Sequence, residues 1–140
     1  MYPTTPTEML MPTDTQRIQR YRTRSLRFLE SASTEMRGGR WRQSEELLWG
    51  SLTLAVKGVA LTRGERLEGD EQVRAYAYRL GQEHRDRRIR EAFNQLATFN
   101  DAVERVRESR SRADQLFLVL DDVSSAVKRL WEMAPAPDGD

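Results

Sequence analysis

The only histidine of the chain, His84, opens a run of dense charge, His84-Arg85-Asp86-Arg87-Arg88-Ile89-Arg90. An imidazole titrates near neutrality and can carry protons. A guanidinium grips carboxylate or phosphate with a planar fork that lysine lacks. The run reads as the start of a helix, where free backbone N–H groups favour an anion. Arginines in a first turn oppose the helix dipole by roughly a few tenths of a kcal/mol each, so this end calls for a compensating negative charge. Arg85, Arg87, Arg88 and Arg90 are therefore the candidate residues for binding nucleic acid or another anion. The plainer alternative is a solvated network in which they pair with Glu71, Glu83 and Glu91.

Arginine is the dominant cation throughout: 21 residues, against lysine only at Lys57 and Lys128. A GC-rich coding sequence explains such a bias without function, and the net charge of +1 does not argue for nucleic acid. The placement is more informative. Arg17, Arg20, Arg24 and Arg27 form one stripe at helical spacing, and Arg105, Arg107, Arg110 and Arg112 form another cluster. If such clusters converge in space, an RNA-binding face results.

Other chemistries fail on inventory. There is no cysteine, which excludes disulfides, thiolate catalysis and Cys-type zinc sites. A di-iron carboxylate bundle needs two Glu-x-x-His pairs, and the chain has one histidine. No glycine-rich phosphate loop, serine nucleophile motif or metal cluster is present, so no cofactor and no metal are expected. The Trp and Met positions read as core.

Five helical segments and no strand account for the periodicity. The first runs from about Asp14 to Arg37, with Thr13 and Gln16 as a capping box. Its stripe is Ile18, Tyr21, Leu26, Phe28, Leu29, Ala32 and Met36, and Gly38-Gly39 stops it. The second, from Arg40 to Gly64, is apolar around most of its circumference and holds Gly50 and Gly58 in its interior. Each glycine costs about 1 kcal/mol there, which implies that a neighbouring backbone comes close. The third is short, Asp70 to Leu80, ended by Gly81. The fourth spans about Asp86 to Glu108, its inner face drawn through Ile89, Phe93, Leu96, Ala97, Asn100, Val103 and Val106. The fifth spans about Arg112 to Met133, with Ser111 as a cap and Pro135 preventing continuation.

Long helices with short connections predict an all-α, up-and-down bundle of four long helices plus one short helix, with the second at the centre. Residues 1–12 read as a flexible arm, 13–133 as one domain, and 134–140 as a disordered acidic tail. The N-terminus lacks the pattern of a signal peptide. The longest near-apolar run, Leu47 to Leu61, contains Lys57 and is too short to span a bilayer. The expectation is a cytoplasmic protein with no membrane association.

The second helix carries a resemblance. Ser44, Glu45, Leu48, Trp49, Gly50, Ala55, Lys57, Ala60, Arg63 and Gly64 match in type and order the Trp-Gly helix of the PaREP family of HEPN-like proteins (higher eukaryote and prokaryote nucleotide-binding). The order of elements is similar over about residues 20–133. Relatives often carry Leu-His-x-Asn-Phe on the fourth helix; this chain has Leu96, Ala97, Thr98, Phe99 and Asn100, so that histidine is absent. HEPN ribonucleases place an Arg four to six residues before a catalytic His, and Arg79 and His84 satisfy that spacing. Tyr76 and Tyr78 lie near the pair; in toxin–antitoxin relatives a tyrosine close to the site is modified by a partner nucleotidyltransferase. Here the plainer reading is Tyr76 in the core and Tyr78 at the surface.

The expectation is a non-catalytic HEPN-like helical binding or scaffold protein, a homodimer or a subunit of a larger assembly, with RNA as a candidate partner. Trp131 is the residue expected to mark an apolar dimer face. The alternatives are a ribonuclease toxin using Arg79 and His84, and an Arg-rich RNA- or anion-binding module.

Overall fold

The computed structural model describes residues 12–109 and 113–134. They form five helices: α1 (Pro12–Arg37), α2 (Trp41–Thr62), α3 (Asp70–Glu83), α4 (Arg87–Ser109) and α5 (Asp114–Met133). No strand occurs among the described residues, and none of these helices is long and apolar enough to cross a membrane. The arm expected over 1–12 and the tail expected over 134–140 lie outside the described residues except at Pro12 and Ala134. Pro12 begins α1, a position where the missing N–H costs nothing. Thr13 lies within the first turn, and its side chain is outside the described ones. Ala134 is buried, and its carbonyl accepts a hydrogen bond from Arg22 Nη2 at 3.2 Å, so it belongs to the folded body.

As its composition requires, α2 sits at the centre, packed against all four other helices. Its main partner is α1, with which it runs antiparallel, because Ser25 bonds to Ser51 and Ala32 to Ser44. The turn between them follows from Gly39, whose φ of +77° is cheap only for glycine. Gly64 ends α2 in the same way at φ +78°, with the Glu65 N–H reaching back to the Ala60 carbonyl.

What approaches the α2 glycines is not backbone but aromatic ring. A Cβ on Gly50 would stand 3.0 Å from Phe28 Cδ2, and one on Gly58 would stand 2.4 Å from Trp131 Cη2. Trp131 is only 4% exposed, with its Nε1–H donated to Ser25 Oγ at 3.0 Å. It therefore fills the core and does not mark a dimer face. Ser25 takes the inward position on α1 expected of Leu26, which is 38% exposed, because Ser25 answers both Trp131 and Ser51.

The sharpest departure is at Gly81. It does not end α3 but lies buried within it, where a Cβ would meet the Arg90 backbone nitrogen at 2.5 Å. Here α3 and α4 cross nearly backbone to backbone. The stop comes later, at Arg85 with φ +51°, where the Asp86 N–H closes onto the Gly81 carbonyl at 2.8 Å and the Arg85 N–H onto Gln82. In α4 the inward face is Ile89, Ala92, Phe93, Leu96, Phe99, Ala102 and Val103; Ala97 and Asn100 face solvent. Turning Phe99 inward buries far more apolar area than turning Ala97 inward, and that decides the helix rotation. In α5 the inward face is Leu116, Val119, Leu120, Val123, Ala126, Val127, Leu130 and Trp131, and the Ser111 cap lies outside the described residues.

Candidate functional site

The antiparallel register of α1 and α2 leaves a furrow along one edge of the pair. Its middle is a cavity of about 580 Å³ lined by Phe28 and Arg24 of α1, Trp49, Gly50 and Leu54 of α2, and Arg74 of α3. Gly50 makes the floor, since any side chain there would run into Phe28. Two turns further along both helices, a smaller cavity of about 210 Å³ is bounded by Arg17, Tyr21, Lys57 and Arg66. In the other direction Phe28 is shared with a third hollow of about 380 Å³, walled by Glu35, Glu46 and Leu47. The furrow therefore has charges of both signs at the Arg17–Lys57 end, an aromatic middle, and Glu46 with the Arg40-paired Glu35 at the other end.

Several of its side chains are held in place. Trp49 leans on Phe93 at a centroid distance of 5.4 Å, and the Arg74 guanidinium lies over the indole at 5.2 Å. The Trp49 Nε1–H points to Glu45 Oε2 at 3.4 Å. Arg66 donates to both oxygens of Asp14, at 2.8 and 3.0 Å, which ties the α2–α3 connection to the start of α1. Glu65, Glu68 and Asp70 stand along the wall as counter-charges. Chemically the furrow offers cations and carboxylates beside half-buried aromatic rings.

Of the arginines expected to bind anions, Arg85, Arg87 and Arg88 line one hollow of about 530 Å³ beside the start of α4. Arg90 is not in it; it ion-pairs with its neighbour Glu91 at 3.0 Å. One N–H of that helix start is already taken: Asp86 accepts from the Ile89 N–H at 3.1 Å, and it also pairs with Arg129 of α5 at 3.7 Å. Asp86 is thus the negative charge that the arginine-rich turn requires. Of the alternative network with Glu71, Glu83 and Glu91, the Arg90–Glu91 pair forms, while Glu83 pairs with Arg63 at the end of α2.

Arg79 and His84 are both exposed. The Arg79 guanidinium rests over the Tyr76 ring at 5.2 Å. Five positions separate the two residues, roughly 140° around a helix axis, so they lie on different faces even though α3 continues past Gly81. Tyr76 is buried, and that burial raises its phenol pKa above the ordinary value of 10, with Glu65 adding to the effect and Arg63 opposing it. Tyr78 is 45% exposed.

From the first arginine stripe, Arg17 and Arg24 reach the furrow and meet Lys57, Arg66 and Arg74, none of which is among the binding residues expected from the sequence. The signal was the spacing Tyr21, Arg24, Phe28, which puts aromatic and cation on one face of α1. Of the later cluster only Arg105 is described with its side chain, and it is exposed. Among the described residues no group of acidic or histidine side chains is placed to hold a metal ion. No protein family, curated protein or solved structure matches this chain.

Proposed function

We propose that this chain is a non-catalytic, HEPN-like helical binding protein that holds single-stranded RNA along the α1–α2 furrow, as a homodimer or a subunit of a larger assembly. One observation carries the reading: Arg17, Arg24 and Lys57, with Arg74 lying over Trp49, gather in a furrow lined by the half-buried rings of Tyr21, Phe28 and Trp49. Cations track a phosphate backbone, and aromatic faces accept unstacked bases of any sequence. The stretch from Arg17 to Phe28 covers roughly 16 Å of α1 at the helical rise, and beyond it stand Glu46 and Glu35, the latter paired with Arg40. The HEPN-like identity and the assembly state rest on the resemblance of the second helix. Arg79 and His84, on different helix faces, support binding over cleavage.

The test is fluorescence anisotropy with labelled single-stranded and duplex RNA over a salt series. Single strands should bind more tightly, weaken with salt, and lose at least tenfold in affinity with Arg24→Glu plus Arg74→Glu; Lys128→Glu, on the exposed face of α5, should not matter. Salt-independent binding, or RNA cleavage abolished by His84→Ala, overturns the reading.

A further inference from the structure

We infer that the cavity over Gly50 selects guanine, so that one position of a single strand in the α1–α2 furrow is read by its base edge; this rests on the furrow being an RNA site. The lining has the make-up of a base pocket. Phe28, Trp49 and Leu54, all half-buried, give a flat apolar surface, and a few polar groups stand at the margin. Two of those groups, Asp70 and Arg74, are four positions apart on α3, where opposite charges ordinarily meet across one helical turn. Here they do not pair. Arg74 is held over the Trp49 indole at 5.2 Å, and the Asp70 carboxylate forms no hydrogen bond or ion pair among the described residues.

The α3 wall therefore presents a guanidinium, which only donates, beside a carboxylate, which only accepts. Guanine answers both in order along its Watson–Crick edge: the O6 acceptor, then the neighbouring N1–H and N2–H donors. Those two donors match the two carboxylate oxygens. Uracil sets its single N–H between two carbonyls, so one carbonyl would face the carboxylate. Adenine and cytosine place a ring-nitrogen acceptor beside their amino group, with the same penalty. In a single strand these edges are free to be read. Arg24, on the α1 side of the cavity and in no ion pair among the described residues, is left for the phosphate. Stacking along the rest of the furrow tolerates any base; this position does not.

Anisotropy with short labelled oligouridines that differ only in the central nucleotide tests the assignment. A central guanosine should bind about tenfold more tightly than uridine, adenosine or cytidine at that place. Inosine, which keeps O6 and N1–H but lacks the N2 amino group, should lose most of that advantage. Asp70→Asn should remove it as well, without weakening the all-uridine oligomer and without lowering the melting temperature, since the carboxylate has no partner to lose. Glu68→Gln, which takes a negative charge from the same furrow outside this cavity, should leave the guanosine preference intact. Equal binding of the four oligomers, inosine binding as guanosine does, or a preference that survives Asp70→Asn overturns the assignment and leaves the furrow an RNA site. Failure of every oligomer to bind removes the furrow reading, and this one with it.

Discussion

Ser25 and Ser51 exchange hydrogen bonds across the α1–α2 interface: each hydroxyl donates to the other's backbone carbonyl at 2.8 Å. Both residues are fully buried, so each hydroxyl's single proton is spent on the opposite helix and not on its own preceding turn. Ser25 does more, because its oxygen also accepts the Trp131 indole proton. Removing Ser51's hydroxyl loses one bond, about 1 kcal/mol. Removing Ser25's also strands a buried indole N–H, for about 2–3 kcal/mol in all. Urea denaturation of Ser25→Ala and Ser51→Ala should rank them in that order; equal losses would show that the indole proton finds another acceptor.

Gly58→Ala sets helix propensity against packing. Alanine gains about 1 kcal/mol in a helix interior, but its Cβ would overlap the Trp131 ring, and overpacking costs about 1–3 kcal/mol. The net effect should be destabilising in the parent. In a Trp131→Ala background the same change should become stabilising. The sign reversal is read from a double-mutant cycle by chemical denaturation.

Tyr76 predicts a loss of stability at alkaline pH. Its folded-state pKa is raised, chiefly by burial, so the unfolded chain gives up the phenolic proton first. The contribution is complete below a pH of about 10, the unfolded value, and falls away as pH rises through the folded value. Tyr76→Phe should flatten that decline. It should cost little at neutral pH, since the hydroxyl has no well-aligned hydrogen bond among the described residues. Midpoints of unfolding at pH 8 and at higher pH, in both proteins, provide the check.

The furrow predicts a specific salt response. Each single-strand phosphate contact contributes about 0.7 to the slope of log affinity against log salt. Arg24→Ala and Arg17→Ala should each lower the slope by about that amount and shift affinity alike for all sequences. Trp49→Ala should instead weaken binding by about 1–3 kcal/mol per base lost from stacking, with the slope unchanged.

The architecture was legible where periodicity and glycine chemistry act locally. Gly39 and Gly64 stop α1 and α2 as their types imply, and the apolar girth of α2 places it at the centre. What could not be read was rotation and contact. Whether Ala97 or Phe99 turns inward, or Leu26 or Ser25, depends on which helix lies opposite. Gly81 shows the same limit: a glycine that permits a stop also permits a crossing, and only the position of α4 decides between them. The arginine-rich turn was visible, but Asp122 and Gln95, which shape its hollow, come from residues 27 positions apart. The furrow went unseen because Trp49 and Phe28 look like core by type. They became half-exposed only because Gly50 leaves the space between them open.

The pinning of Trp131 and Ala134 onto α1 also sets the order in which the molecule can be made. The bond from Trp131 to Ser25 spans 106 positions, and that from Arg22 to Ala134 spans 112. During synthesis the α1–α2 hairpin emerges early with its serine pair in place, yet with the slot above Gly58 empty. The ring that fills it comes from the end of α5, made after the other four helices. Nascent chains halted before Trp131 should therefore stay open to protease while chains extended past α5 close, so this bundle closes only once its fifth helix has emerged.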